Sequence, residues 1–495
     1  MEPLDVNELI ISSPSHEGVE AKGIESFVDV LETTPGVEAH SLMILRHGSV
    51  IAAGWWWPYT RGQLQLLYSV SKSFTSTAIG LALDDGLLDL DDPVIAHFPE
   101  LDHEISDPRS RSMTIRHIAA MASGHLEDTW SEVLAVDPEH PVRGFLRLHP
   151  ERDPGSIFRY NQSASYTLAA VLQRVTGQTV SRYLRSRVLD PIGAGPIAWW
   201  QHPEGHDLGF SGLHATTETV ARLGQLYLDN GVWHGRRILS SAWIEEASRE
   251  QVGTQTDDPA AETGVDSQLG YGYQFWKSRH GYRADGAFGQ FCLVLPEYDV
   301  VIAMTGQSTE TQLILNSVWN DLLPAFKNDP IVPDSSSDQR LEERLVNLAL
   351  PPSRAQLEPS LNAAQWARVE FQPVLDSCQE QPSIVSLKVS RAADGWELEL
   401  KENDWTLDVR LAKDWSYCSS NGVVQPILCS GGWSTTGSLQ VSLIFVESPH
   451  RLNLSCDLEE RSVTAIWVTP PLHPGPLRDL RVKRAGPVTW LTPQE

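Results

Sequence analysis

Ser69 and Lys72 stand three residues apart at the start of an apolar run, 74–88, whose pattern predicts a helix. Residues three apart on a helix share one face, so this hydroxyl and this amine are expected to be in contact. An amine beside a serine takes its proton when burial or a neighbouring group lowers the pKa of the amine. The spacing therefore predicts a nucleophilic serine activated by a lysine, although a chain of this length also contains such a spacing by chance.

Two later segments carry groups that such a nucleophile would need. Tyr160 lies just before a second helical pattern, and a tyrosine near a serine–lysine pair can relay a proton. The turn 285–287 leads into an apolar strand pattern, and a free N–H at Ala287 would join that of Ser69 in an oxyanion hole. Taken alone, the two segments are explained more simply by an ordinary half-buried tyrosine and a plain glycine turn.

The elements around these groups predict a mixed α/β (α+β) unit. Strand patterns lie at both ends of this unit and enclose a helical middle, which indicates an antiparallel sheet. Expected helices cover 74–88, 166–188 with an interruption near Gly177, 216–230 and 311–326. Expected strands cover 41–45 and 50–53, which form a hairpin, and 271–276, 290–295 and 300–305.

Composition changes along the chain divide it into four segments. Residues 1–20 form a polar N-terminal lead-in, and 21–326 form the mixed unit. Residues 327–365 have the proline- and serine-rich composition of a linker, with one short helical run, 339–350. Residues 366–495 show short alternating runs separated by turns, which predict a C-terminal antiparallel β domain, either a barrel or a sandwich.

Charge and motif content exclude several classes of function. The net charge of −26 makes nucleic acid and anionic membrane surfaces poor partners. The chain has no run of 18 apolar residues, its first residues lack a secretory pattern, and its five cysteines are an odd number, so we expect a reduced, cytoplasmic protein. No metal or nucleotide motif is present, so no cofactor is predicted. Homo-oligomerisation stays open.

In order and content, these segments resemble the serine β-lactamase-like superfamily, which includes class C β-lactamases, penicillin-binding D-Ala peptidases, family VIII esterases and 6-aminohexanoate-dimer hydrolases. The resemblance covers about residues 35–326 and implies a β-lactamase/transpeptidase-like domain with a helical subdomain. Its segments are Tyr68-Ser69-Val70-Ser71-Lys72-Ser73-Phe74, Gly86-Leu87-Leu88-Asp89-Leu90-Asp91-Asp92-Pro93-Val94, Thr114-Ile115-Arg116 through Ser123-Gly124, Asp190-Pro191-Ile192-Gly193 and Gly270-Tyr271-Gly272-Tyr273.

The resemblance also implies roles for individual residues. Ser69 would be the nucleophile, Lys72 the base that activates it, and Tyr160 the second proton carrier. The backbone N–H groups of Ser69 and Ala287 would form the oxyanion hole. A Ser69 at a helix N-terminus would also profit from the helix dipole, which favours developing negative charge.

Two departures from the family pattern bear on the substrate. Gln162 stands where the Tyr-x-Asn motif has its asparagine, and Ala284 stands where the last motif has lysine or histidine. We expect Gln162, Asp285 and Gly286 to contact the substrate. Without the cation of the last motif, neutral or cationic substrates fit better than carboxylate-bearing β-lactams, unless Arg279 or Arg283 compensates.

The sequence thus predicts a serine hydrolase that cleaves an ester or amide bond of a small molecule through an acyl-enzyme. An acyltransferase, a peptidase or a β-lactamase would use the same acyl-enzyme. A protein of another class, a non-catalytic binding protein on the same fold, is the alternative. A third interpretation gives the C-terminal β domain a separate role in oligomerisation or partner docking.

Overall fold

The computed structural model describes residues 9–255, 264–328, 331–359, 363–374, 380–482 and 488–491. The first eight residues of the predicted lead-in and Cys378 lie outside these ranges. The strands of the N-terminal unit are β1 (Ile10–Ile11), β2 (Ala39–Arg46), β3 (Ser49–Trp55), β4 (Gln65–Leu66), β5 (Ile197–Trp200), β6 (Leu213–Ala215), β7 (Val232–Trp233), β8 (Arg236–Arg237), β9 (Trp276–Lys277), β10 (Tyr282–Gly286), β11 (Gln290–Leu295) and β12 (Val300–Gly306). Its α-helices are α1 (Ala21–Thr33), α2 (Ser71–Asp84), α3 (Pro108–Ser112), α4 (Ile115–Ala119), α5 (Trp130–Val136), α6 (Pro141–Arg147), α7 (Gln162–Thr176), α8 (Val180–Leu184), α9 (Thr217–Leu228), α10 (Ser241–Ser248) and α11 (Thr311–Ser317).

A seven-stranded sheet in the order β1-β3-β2-β12-β11-β10-β9 forms the centre of this unit. Neighbouring strands are antiparallel, except for the parallel pair β1 and β3. Side chains alternate along a strand, so on β2 Leu42 and Ile44 enter one core while Met43 and Leu45 enter the other. Helix α9 packs on the second of these faces and α1 on the first. The result is the β-lactamase/transpeptidase-like fold, with an antiparallel sheet flanked by helices.

Helices α3 to α8 form the helical subdomain, in which α7 packs against α2, α4 and α6. The interruption expected near Gly177 in the helical pattern over 166–188 is confirmed, because Gly177 adopts a left-handed backbone (φ 69°) and ends α7. No helix within the described ranges is both long and apolar enough to cross a membrane.

The strand predictions for the central sheet are mostly confirmed. The expected strands at 290–295 and 300–305 are β11 and β12, and the expected hairpin is β2–β3. The strand expected at 271–276 is wrong, because only its last residue enters the short β9. Gln274 has a left-handed backbone there (φ 63°), which interrupts an extended strand.

The C-terminal β domain is a closed barrel of nine strands. Its interior is filled by alternating side chains, as on the strand where Trp396, Leu398 and Leu400 are buried while Glu397 and Glu399 face outward. The closing pair, the first and last strands, is parallel, so the expected purely antiparallel arrangement is incorrect there. The strands are β13 (Val369–Pro373), β14 (Ile384–Ala392), β15 (Gly395–Glu402), β16 (Thr406–Arg410), β17 (Ser416–Ser420), β18 (Val423–Trp433), β19 (Leu439–Phe445), β20 (His450–Asp457) and β21 (Ser462–Trp467).

The predicted linker between the two bodies is packed onto the N-terminal unit. Its helix α12 (Ser335–Val346) buries Leu341 and Leu345 against α1 and β3, and a short helix α13 (Ala363–Trp366) precedes the barrel. The helix begins four residues before the expected run at Gln339.

The barrel and the N-terminal unit share one apolar core. Ile444 and Val446 of the barrel belong to the same buried cluster as Ile51 of β3. The chain then returns to the N-terminal unit, where β22 (Val488–Leu491) pairs with β5 in the sheet β22-β5-β6-β4. Residues 488–491, which the sequence assigns to the C-terminal domain, therefore complete a sheet of the N-terminal unit.

Candidate active site

Ser69 and Lys72 are brought together by the turn that begins helix α2. Residues Tyr68–Val70 form a short 3₁₀ turn that continues directly into α2. Ser69 is partly exposed between two buried neighbours, whereas the Lys72 side chain is buried. The Lys72 Nζ atom lies 3.1 Å from Ser69 Oγ, the contact that the three-residue spacing predicts.

Two oxygen atoms from other parts of the chain also hold the Lys72 amine. Nζ donates to Gln162 Oε1 at 2.7 Å and to the Phe210 carbonyl at 2.8 Å. Burial lowers the pKa of Lys72 well below its usual range, and the negative charge of Asp128 opposes this effect in part. The lysine is therefore predisposed to be neutral, the form in which an amine accepts a proton.

Tyr160 completes a hydrogen-bonded group with these two residues. Its hydroxyl is hydrogen-bonded to the Ser69 side chain, and Lys72 Nζ lies 4.6 Å from the centre of its ring. The ring stacks on Trp276 at 5.7 Å and meets the edge of Tyr271 at 6.2 Å, so aromatic packing fixes its position. Burial raises the pKa of Tyr160, and the hydrogen bond to Ser69 lowers it in part.

Gly286 allows the end of β10 to approach the Ser69 turn. A Cβ atom at this position would lie 2.3 Å from the Leu67 carbonyl oxygen and 3.2 Å from the Val70 nitrogen, so only glycine fits without displacing backbone. Ala287 follows in the turn after β10. The rings of Phe288 and Tyr68, which flank Ala287 and Ser69 in sequence, are 5.5 Å apart.

Asp285 adds a carboxylate to this side of the site. Its Oδ2 accepts a hydrogen bond from Arg283 Nε at 2.8 Å, and its side chain is about one-quarter exposed. Burial raises the pKa of Asp285, while Arg283 opposes the shift. Both arginines considered as replacement cations are engaged, since Arg283 is buried with Asp285 and Arg279 is paired with Asp266 at 2.9 Å.

Several residues at the site were not predicted from the sequence. Phe210 supplies a backbone carbonyl, which no side-chain pattern reveals, and Asp128 accepts from the Gln162 backbone N–H at 2.9 Å. His473 Nε2 forms a hydrogen bond with the Ser211 hydroxyl at 3.0 Å. Burial is the main cause that lowers the pKa of His473 to about 4. This histidine follows the barrel, so no local signal connected it to the site.

Comparisons with known proteins identify the family of this chain. Residues 24–314, more than half of the chain, match the protein family described as Beta-lactamase. The 6-aminohexanoate-dimer hydrolase of Paenarthrobacter ureafaciens is 28% identical over 285 residues, which cover 53% of this chain and 71% of that protein. Protein flp of Staphylococcus aureus (strain N315) is 28% identical over 130 residues, which cover 25% of this chain and 26% of flp.

A solved structure extends the comparison to the fold. A Bacillus anthracis protein provisionally assigned as a 6-aminohexanoate-dimer hydrolase superposes with a TM-score of 0.50 at 18% identity. The match covers 68% of this chain and 89% of that chain, and it concerns the fold alone.

Proposed function

The chain belongs to the beta-lactamase family, and we propose that it is a serine hydrolase that cleaves an ester or amide bond of a small molecule through an acyl-enzyme. The observation that carries the proposal is the hydrogen-bonded group of Ser69, Lys72 and Tyr160, in which the lysine is buried and the serine is accessible. A buried lysine with a lowered pKa that contacts an accessible serine favours catalysis over a purely binding role.

Lys72 acts as the general base in the first step. A neutral amine has two N–H bonds and one lone pair. When these two N–H groups donate hydrogen bonds to Gln162 Oε1 and to the Phe210 carbonyl, the lone pair is directed at the Ser69 hydroxyl. Ser69 Oγ then forms a bond to the substrate carbonyl carbon as its proton passes to Lys72. The N–H groups of Ser69 and Ala287 stabilise the negative oxygen that results.

Tyr160 carries the proton in the second step. Its hydroxyl gives a proton to the departing alcohol or amine and regains one from Lys72, so the bond to the leaving group breaks without a free anion. The raised pKa of Tyr160 suits this role, because the phenol stays protonated between transfers. Water then attacks the acyl carbon while the same groups take its proton and return it to Ser69 Oγ, so the bond between Oγ and the acyl carbon breaks and the acid is released.

The charges and rings at the site support a neutral or cationic substrate with an apolar acyl group. Asp285 lies beside Gly286 at the candidate binding edge, and its partner Arg283 is buried, so an anionic substrate would meet a carboxylate there. Trp276, which is partly exposed and stacks on Tyr160, provides apolar surface, and the buried Phe210 ring packs near the Lys72 amine. Gln162, whose Oε1 is held by Lys72, is left with its Nε2 group to contact the substrate.

Intact mass spectrometry tests the proposal. The full-length protein is incubated with p-nitrophenyl esters, anilides, D-amino-acid amides, nitrocefin and a fluorophosphonate. We expect a fluorophosphonate adduct that maps to Ser69 and turnover of an ester or amide. Turnover in the presence of an added alcohol or amine distinguishes the two reactions, because hydrolysis gives the free acid whereas acyl transfer gives a new ester or amide. A well-folded protein without any adduct or turnover would contradict the proposal and favour a binding role.

A further inference from the structure

A hairpin of the barrel packs directly against the segment that leads to Ser69. The backbone N–H of Leu66, at the end of β4, donates to the Glu447 carbonyl at 3.0 Å. Glu447 lies in the turn between β19 and β20, and His450 is the first residue of β20. The barrel thus contacts the N-terminal unit three residues before the candidate nucleophile.

His450 is buried in this contact and holds the Tyr68 hydroxyl. Its Nδ1 atom lies 2.8 Å from the Thr469 carbonyl, which can only accept a hydrogen bond, so Nδ1 carries the ring proton. Nε2 is therefore an acceptor, and it takes the Tyr68 O–H at 2.6 Å. Burial lowers the pKa of His450 to about 3, so the ring stays neutral and keeps this tautomer.

The two residues beside the candidate oxyanion hole both have unfavourable backbone conformations. Tyr68 precedes Ser69 with φ at 47°, and Phe288 follows Ala287 with φ at 67°. Residues other than glycine rarely adopt this left-handed region because their Cβ atoms clash with the backbone. The surrounding contacts must therefore hold Tyr68 and Phe288 in this conformation. The His450 ring meets the Phe288 ring edge to face at 5.4 Å and bonds Tyr68, so it contacts both strained residues.

We propose that His450 of the barrel is a positioning residue for the oxyanion hole. By holding the Tyr68 hydroxyl, it fixes the direction of the N–H group of Ser69, the next residue. By packing on Phe288, it fixes the direction of the N–H group of Ala287, the preceding residue. The inference rests on the proposed function. It makes the barrel a structural part of the active site, in contrast to the separate docking role considered from the sequence.

Three variants of the full chain test this inference: His450→Ala, Tyr68→Phe and His450→Gln. The first two break the hydrogen bond, and we expect each to lower kcat for a p-nitrophenyl ester by about tenfold or more, with KM changed less than about twofold. Binding of phenylboronic acid, whose tetrahedral serine adduct places an oxygen in the hole, should weaken by a similar factor. Glutamine keeps an acceptor near the Nε2 position and should restore most of both values.

Val441→Ala is the matched control, because Val441 lies in the barrel core on β19 and belongs to the barrel's own apolar cluster. It should lower the melting temperature without changing kcat or boronate binding. The double variant Tyr68→Phe/His450→Ala should be no slower than the slower single variant, because both remove one interaction.

The outcomes separate this inference from the proposed function. A wild-type protein without a fluorophosphonate adduct at Ser69 would overturn both. An adduct in the wild type, together with unchanged kcat and boronate binding in His450→Ala and Tyr68→Phe, would overturn this inference alone. Equal losses of kcat in His450→Ala and Val441→Ala would also overturn it, because they would reflect general loss of barrel structure.

Discussion

The Lys72 amine donates to the Gln162 amide oxygen over 2.7 Å, so the residue two positions after Tyr160 also holds the candidate base. The glutamine that stands where the resemblance implies an asparagine thus contacts the lysine directly. Ser69, Lys72, Tyr160 and Gln162 thus form one connected group, in which a change at one side chain should alter the proton affinity of the others.

Gln162→Glu should move the acidic limb of the kcat/KM profile to higher pH. A carboxylate beside Lys72 stabilises the ammonium form and raises the pKa of the lysine, whereas the base must be neutral to act. We expect a shift of roughly one pH unit or more, measured with a neutral ester across about pH 5 to 9. Gln173→Glu, further along the same helix, is the control and should leave the limb in place.

Asp128→Asn should move the same limb in the opposite direction. The Asp128 charge raises the pKa of Lys72, so its removal lowers that pKa and extends activity to lower pH. Because Asp128 is exposed, we expect a shift of only about half a pH unit, which shrinks as salt is added. An upward shift would contradict the assignment of Lys72 as the group that sets this limb.

Ser69→Ala should abolish both turnover and the fluorophosphonate adduct while the protein stays folded, because the change removes one partly exposed oxygen atom. The control is Ser73→Ala, in the helix α2 that follows the Ser69 turn; the Ser73 hydroxyl donates to the Gln274 carbonyl. This variant should still form the adduct. Intact mass measures the adduct, and thermal melting shows that each variant is folded. Turnover of Ser69→Ala near the wild-type rate would refute the mechanism.

Tyr160→Phe should lower kcat by about a factor of 10² or more, because it removes the proton carrier and keeps the ring. The ring can still stack on Trp276, so the melting temperature should change little. Tyr166→Phe, at a buried tyrosine on α7 whose hydroxyl bonds Glu204, is the control for loss of a hydroxyl and should keep kcat near wild type. Equal rates for Tyr160→Phe and the wild type would remove Tyr160 from the mechanism.

Asp285→Asn should change the charge preference of the enzyme. The amide removes the carboxylate while the buried Arg283 keeps its charge, so esters that carry a carboxylate should gain in kcat/KM relative to neutral esters of the same size. We expect this ratio of kcat/KM values to rise by about threefold to tenfold, as measured in a competition experiment with both esters. An unchanged ratio would indicate that the substrate does not approach Asp285.

The local contacts of the site followed from the sequence, because they depend on short spacings. Ser69 and Lys72 are three residues apart across the 3₁₀ turn and the first turn of α2. The strands at 290–295 and 300–305 have apolar runs that identify buried strands. Where tertiary packing overrides propensity, as at Gln274 with its left-handed backbone, the strand prediction at 271–276 failed.

Only the tertiary structure decided what surrounds this pair. Lys72 contacts Gln162 and the Phe210 carbonyl across 90 and 138 residues, and Tyr68 contacts His450 across 382. Residue spacing predicts contacts only within one or two helical turns. The position of a backbone carbonyl and the tautomer of a distant histidine cannot be predicted from the residue pattern. The sequence by itself therefore determined the candidate nucleophile and its base, whereas the packing of the barrel against the N-terminal unit decided which groups hold and orient them.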